Sequence, residues 1–330
     1  MKNPILWRRW EMNLFSFIKK RFLHRFILVY QNDINVGTHI YDIKNDDIIN
    51  QNSEDFVLEN KEEFTQELKD FLNKAQEEVT RSYIVTILNS QGQGIVPTCS
   101  TSEFKKYSID RRYTYNICVD GIFSNYVTKI EINWLQKIYK DVGIDLIFSP
   151  FCLLYDLIKD EETGKDPVLY ILYFDNNASL MIKKDKKILY GSFFNTTESS
   201  NPLYSDFEED GEVDEDEFEI EDDMELEESD FEMEIQEGDD FENPQYQSEV
   251  ALVEENKTFT KFISNSLKEF YSNDVYESSF VDRVKIFAEE EMDKSVIEYI
   301  ESELFLNTEF SLIELDPIVL KFSKKEVIGV

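Results

Sequence analysis

The stretch PVLYILYFDNNASLMIKKDKKILYGSFFN, residues 167–195, decides how the rest of the chain is read. Three runs rich in aliphatic and aromatic residues, 167–175, 178–184 and 187–195, are separated by polar turns at Asn176-Asn177 and Asp185-Lys186. Such spacing predicts a three-stranded antiparallel meander. A second meander lies earlier, in FILVYQ (26–31), INVGTHIYDIK (34–44) and DIINQ (47–51), joined by Asn/Asp turns. A helical pattern and an apolar strand follow each. After the first come KEEFTQELKDFLNKAQEEV (61–79), with Phe64, Leu68, Phe71, Leu72 and Ala75 on one face, and SYIVTILN (82–89), ended by Gly92 and Gly94. A nearly wholly apolar strand is one covered on both sides. After the second come KTFTKFISNSLKEFYSN (257–273) and VDRVKIFA (281–288). The repeated order predicts a duplicated α/β fold.

Between the two units, TYNICVDG (114–121) and YVTKIEI (126–132) read as a hairpin. Residues 133–143 read as a helix with Asn133 as N-cap and Gly143 as C-cap. A strand at 144–150 and a helix at 151–161 follow. Towards the C-terminal end, 292–307 reads as a helix and 309–315 as a last strand, and Pro317 opens a short tail.

The chain has 330 residues and a net charge of −35, with 69 acidic side chains against 34 basic ones. Residues 206–242 hold 23 of the acidic residues and no basic one. Nucleic acid is therefore excluded as a partner, because neutralising phosphates needs clustered Lys and Arg. Within 196–250 the scattered Phe, Met, Leu and Ile show no period, and self-repulsion opposes folding, so the segment reads as a disordered insertion. It is a solvated spacer, or a docking tail or mimic for a basic partner with Phe207, Phe218, Phe231 and Phe241 as anchors.

Cys99, Cys118 and Cys152, with His24 and His39, lack metal-ligand spacing, so no metal is expected and each cysteine reads as a small core residue in a reducing compartment. No apolar run reaches the ~20 residues that span a bilayer, and no secretory signal is evident, which predicts a cytoplasmic protein. Residues 1–25 carry Trp7, Trp10, Leu14, Phe17, Ile18 and Phe22 at helical spacing, with Arg8, Arg9, Lys19, Lys20, Arg21 and Arg25 around them. A basic amphipathic helix suits an anionic membrane surface, or packs on its own domain or a partner protein.

Within the duplicated plan, WLQKIYKDVGIDLIFSPFCLLYDLI (134–158), the meander 167–194, and FISNSLKEFYSN with VDRVKIFA (262–288) resemble the pilus assembly protein PilM and its relatives. The resemblance implies an actin-like, ribonuclease H-like duplicated fold with two lobes, 26–162 and 163–320, a small subdomain at about 95–143, the insertion 196–250 and a tail 321–330. It also implies a PilN-like inner-membrane partner, a station peripheral to the inner membrane, and other subunits of an envelope-spanning machine arranged in a ring. Pilus, secretion, DNA-uptake and flagellar-motor machines share this module.

An actin-like phosphate site needs glycines, because they let backbone N–H groups approach the phosphates. The first meander has Gln31, Asn32 and Asp33 where an Asp-x-Gly turn is expected. In the second, Asp175 holds the family's position but Asn176-Asn177 replaces the glycine turn; the adenine-side strand ends in Ala288, Glu289, Glu290 and Glu291 rather than Gly-Gly. The resemblance thus implies a vestigial nucleotide site, no cofactor and no catalysis. An active ATP-binding actin-like ATPase or filament protein is the alternative. Other chemistry is unsupported: QGQG (91–94) lacks the Lys-Ser/Thr of a P-loop, and there is no G-x-S-x-G elbow. In PilM-like proteins the partner's tail lies in a groove by the small subdomain. Here Phe104, Lys105, Lys106, Tyr107, Arg111, Arg112 and Tyr113 supply the cation-plus-aromatic mixture that interfaces favour, against a plain reading as a solvated loop.

Overall fold

The computed structural model describes residues 21–174, 177–195 and 244–329. Two five-stranded sheets share one plan. The first runs β3-β2-β1-β4-β8, from β1 (His24–Asn32), β2 (Asn35–Lys44), β3 (Asp47–Val57), β4 (Ser82–Ile87) and β8 (Leu146–Phe148). The second runs β11-β10-β9-β12-β13, from β9 (Val168–Phe174), β10 (Asn177–Lys184), β11 (Lys187–Asn195), β12 (Arg283–Ala288) and β13 (Asn307–Leu312). In each, the meander is antiparallel and the two added strands are parallel. This is the duplicated α/β arrangement that the sequence predicts. A third sheet, β5-β7-β6, is the small subdomain, from β5 (Gln93–Val96), β6 (Thr114–Val119) and β7 (Phe123–Thr128).

Alternation along the central strands builds three cores. In β1, Phe26 and Leu28 face one core while Ile27 and Val29 face another, and all four are fully buried. In β9, Tyr170 and Leu172 join the same central core as Phe26, while Leu169 and Ile171 face outward to a third. The outer cores are closed by α1 (Gln66–Glu78) and α2 (Lys129–Ile138) on the first sheet, and by α4 (Pro244–Ser272) and α5 (Lys294–Ser302) on the second. The central core takes α3 (Pro150–Ile158) and α6 (Leu315–Val327). Each is the last helix of its half, and each packs on the other half's sheet. Helix α3 lies on β9 and β10, and α6 lies on β1.

Helix α6 corrects the expected tail at 321–330. Pro317 falls in its first turn, where a missing N–H costs nothing, so the proline opens a helix instead of ending order. Leu315, Val319, Leu320 and Phe322 then bury in the central core. Residues 129–132 begin α2 rather than ending a strand, because Thr128 caps the helix by accepting from Glu131 N at 3.4 Å; Asn133 lies inside it. Helix α4 starts at Pro244, seven residues before the sequence reading ends the insertion; the remainder of that insertion, 196–243, lies outside the described residues.

His24 and Arg25 belong to β1 and not to an N-terminal helix. Arg25 is buried and grips Asp42 with two hydrogen bonds of 2.7 and 2.9 Å. Cys99 and Cys118 are joined in a disulfide, against the expectation of reduced core residues. Strands β5 and β6 flank β7 and bring the two within 5.2 Å between Cα atoms. Cys152 is buried, as the sequence implies. Among the described residues no helix is long and apolar enough to cross a membrane.

Candidate functional site

Two places gather the sequence-predicted residues. The first is the cleft between the lobes, where β1 and β2 turn beside the end of β12. A cavity of about 280 Å³ there is lined by Tyr30, Asn32, Asn35, Gly37, His39, Asp55 and Glu289. The β1–β2 turn is a two-residue hairpin, with Asn32 paired to Asn35 and Asp33 in the left-handed region at φ 52°. Asp and Asn tolerate that conformation better than other non-glycine residues, which is how the turn closes without glycine. In the second meander Asn177 pairs with Phe174, so it belongs to β10 and not to the turn. Asp175 and Asn176 lie outside the described residues, while Asn177 opens β10 and is buried.

Carboxylates occupy the side of this cleft formed by the end of β12 and the first turn of α6. Glu289 Oε1 accepts a hydrogen bond from Leu315 N at 3.2 Å, at the first residue of α6. Asp316, in the same first turn, accepts from Tyr30 at 2.7 Å and Tyr41 at 2.5 Å, and its Oδ2 lies 2.6 Å from His39 Nδ1. Burial alone would raise the Asp316 pKa, but the hydrogen bonds from His39, Tyr41 and Tyr30 outweigh it and hold the carboxyl below its ordinary value. The contact with Asp316 raises His39 against an opposing effect of burial. A helix N-terminus attracts anions, and here the protein's own side chains supply them. Glu290 follows Glu289 as an exposed residue beyond the end of β12.

The second place is the loop between β5 and β6. A 3₁₀ turn, Phe104–Tyr107, buries Phe104 and stops at Ser108, which adopts φ 59°. A cavity of about 800 Å³ is lined there by residues that include Thr101, Ser102, Phe104, Lys105, Arg111 and Arg112. Four of the seven residues predicted for a groove therefore meet around one space. The other three do not line it. Lys106 lies 3.5 Å from Glu103, Tyr107 packs on the Tyr276 ring at 5.9 Å, and Tyr113 is exposed beside Arg112. Sequence reading missed Thr101, Ser102, Ser108, Ile109 and Asp110, which complete the lining. Asp110 is held down to about pKa 2 by its hydrogen bonds from Arg112.

Of the predicted membrane or partner contacts, Arg21 is exposed next to the start of β1, and Trp7, Arg8, Arg9, Trp10, Lys19 and Lys20 lie outside the described residues. Among the described residues no group of three or more His, Cys, Asp or Glu could hold a metal ion.

Residues 22–155 match the model of a domain of unknown function, DUF8569, and residues 169–328 match that of another, DUF8341. No curated protein matches the sequence. Among solved structures, a protein of unknown function with an actin-like ATPase fold from Bacteroides thetaiotaomicron aligns over 93% of this chain and 98% of its own, at 10% identity and a TM-score of 0.45. A PilM-PilN type IV pilus biogenesis complex aligns over 94% of this chain and 97% of that one, at 10% identity and a TM-score of 0.48. Acetate kinase from Entamoeba histolytica aligns over 91% and 99%, at 7% identity and a TM-score of 0.41.

Proposed function

We propose that this protein is a non-catalytic actin-like scaffold that grips the cytoplasmic tail of a PilN-like inner-membrane protein in a bacterial trans-envelope machine. The observation that carries the reading is the cationic loop of the small subdomain. In a chain of net charge −35, Lys105, Arg111 and Arg112 gather with Phe104 around one cavity. That chemistry fits an acidic peptide segment with an apolar anchor. The protein sits at the cytoplasmic face of the inner membrane, with the N-terminal basic segment as a second attachment to lipid or to a neighbouring subunit in a ring. Two weak attachments acting together raise effective concentration.

The interlobe cleft supports the non-catalytic part of this reading. A nucleotide phosphate there would meet Glu289 and Asp55, and like charges in a partly enclosed site repel. Titration calorimetry of the full chain with Mg-ATP tests this part, with no binding heat expected; micromolar affinity would restore the active-ATPase reading. For the docking part, Lys105→Glu with Arg111→Glu is expected to abolish co-purification of a membrane protein from the native cell. Undiminished co-purification would move the docking site elsewhere.

A further inference from the structure

We propose that Cys99–Cys118 is a reversible thiol–disulfide site whose state sets the shape of the cationic loop. The consequence for partner binding rests on the docking reading above; the chemistry of the pair does not.

The bond sits at a crossing. Val96 at the end of β5 and Cys118 in β6 both pair with Ser124 of β7, from opposite sides. To reach Cys118, the chain leaving β5 must pass over the end of β7, and Cys99 Sγ lies 3.3 Å from the Phe123 carbonyl oxygen. All the cavity-lining residues named above fall between the two cysteines. The staple therefore closes the loop that forms the cavity.

Access and selectivity are both in place. Cys118 is exposed and Cys99 half-buried, so a thiol from solvent can attack Cys118 Sγ. Cys152 cannot compete, because burial pushes its thiol up to about 12 and leaves no thiolate near neutral pH. The pair is thus a two-state couple with no third partner to reshuffle into.

The two halves of the loop are held differently. Residues 104–114 keep Ile109 N to Phe104 O at 3.1 Å, Thr114 Oγ1 to Asp110 O at 3.3 Å, Lys129 Nζ to Arg112 O at 2.6 Å, and the buried Phe104. Residues 97–103 keep local bonds, Thr98 N to Val96 O at 2.7 Å, Ser100 N to Thr98 Oγ1 at 3.0 Å and Glu103 N to Ser100 O at 3.0 Å. Opening the disulfide releases the crossing 97–103, with the rim residues Thr101 and Ser102, and leaves the sheet paired.

A cellular or added dithiol completes the step. Its thiolate attacks Cys118 Sγ, a mixed disulfide forms there, and the Cys99 sulfur leaves with the bonding electron pair and takes up a proton. The second thiol of the reagent, giving up its proton, then closes onto the first and releases Cys118 as a thiolate, which is protonated. Two electrons and two protons pass to the protein, and the reagent becomes a cyclic disulfide. Oxidised glutathione reverses the exchange. The freed Cys99 thiol lies where it can donate to the Phe123 carbonyl.

The test uses the full chain under native conditions. Maleimide labelling read by mass is expected to add nothing before dithiothreitol and two labels after it, on Cys99 and Cys118, with unchanged far-ultraviolet circular dichroism. Amide exchange is expected to speed up over 97–103 and stay constant over 104–114 and in both five-stranded sheets, and oxidised glutathione should restore the slow pattern. A fluorescein-labelled Glu/Phe peptide should bind the oxidised form about tenfold more tightly, the order expected when a pre-organised loop loses its constraint. Labelling that requires denaturant, or amide exchange over 97–103 that ignores reduction, would overturn the proposal. Normal labelling and exchange with no peptide binding in either state would uphold it and sink the docking reading instead. The double variant Cys99→Ser, Cys118→Ser should reproduce the reduced form's exchange pattern and ignore dithiothreitol.

Discussion

Nδ1 of His39 and Oδ2 of Asp316 lie 2.6 Å apart, joining residues 277 positions from each other in the chain. The contact ties β2 of the first sheet to the first turn of α6, and Tyr30 and Tyr41 bind the same carboxylate. Tyr30 and His39 also line the cavity between the sheets, so the contact fixes one wall of that cleft to the first turn of α6.

That contact makes stability depend on pH in a defined window. His39 titrates above its ordinary 6.5 in the folded protein, so its contribution is complete below 6.5 and fades as pH rises through the raised value. Asp316 titrates below its ordinary 3.8, so its contribution is complete above 3.8 and fades as pH falls through the lowered value. Between these limits the pair is strongest. His39→Gln is expected to cost about 1 kcal/mol there and less above neutrality, measured by melting temperature against pH. A penalty that stays level from about pH 5 to about pH 9 would show that the charge on His39 contributes nothing.

Arg25 offers a contrast between two carboxylates on one guanidinium. Asp42 is as buried as Arg25, whereas the Glu78 side chain is 52% exposed. Removing Asp42 strands a buried charge, so Asp42→Ala should cost about 3–5 kcal/mol in urea unfolding. Glu78→Ala should cost less than about 1 kcal/mol, because water screens an exposed pair. Equal penalties for the two variants would refute this ranking.

Phe322 tests whether α6 is structural. Its ring lies 5.7 Å from Phe148 in the central core. Phe322→Ala should therefore destabilise the protein by roughly 3–5 kcal/mol, as cavity-forming core truncations do. A free tail would show no change in the urea midpoint.

Gly191 marks where the small subdomain meets the second sheet. A Cβ there would stand 2.6 Å from Ile95 Cδ1 and 3.1 Å from the Leu180 carbonyl oxygen. Gly191→Ala is expected to cost about 1–3 kcal/mol by overpacking. Ile95→Ala in the same chain should recover part of that loss, giving a non-additive double-mutant cycle; simple additivity would mean the two surfaces do not touch.

Most of the sheet order was legible because strands buried on both faces, such as VLYILYF in β9, carry long apolar runs. Strand β3 was read short, as 47–51, since an edge strand exposed along most of its length carries no alternation from Asn50 to Asp55. Helix α6 was missed because Pro317 signals a break in sequence yet sits in a first turn in space. The loop residues Lys105, Arg111 and Arg112 could be found from charge and aromatic clustering, but the same clustering put Tyr107 in the groove, whereas it packs on Tyr276 outside the cavity lining. Its partner Tyr276 lies in the other lobe, and no local pattern connects the two. The disulfide was hidden for the same kind of reason: the pairing of β5 and β6 with β7 creates it, and spacing alone does not.

The exchange of final helices, α3 onto the second sheet and α6 onto the first, has a consequence for synthesis. Leu315, Val319, Leu320 and Phe322 complete a core that begins at Phe26. Emerging from the ribosome, the first sheet has an uncovered apolar face until residues 315–322 are made, so it cannot mature on its own. Nearly three hundred residues separate Phe26 from the helix that covers it, and over that interval the face must be kept from other apolar surfaces.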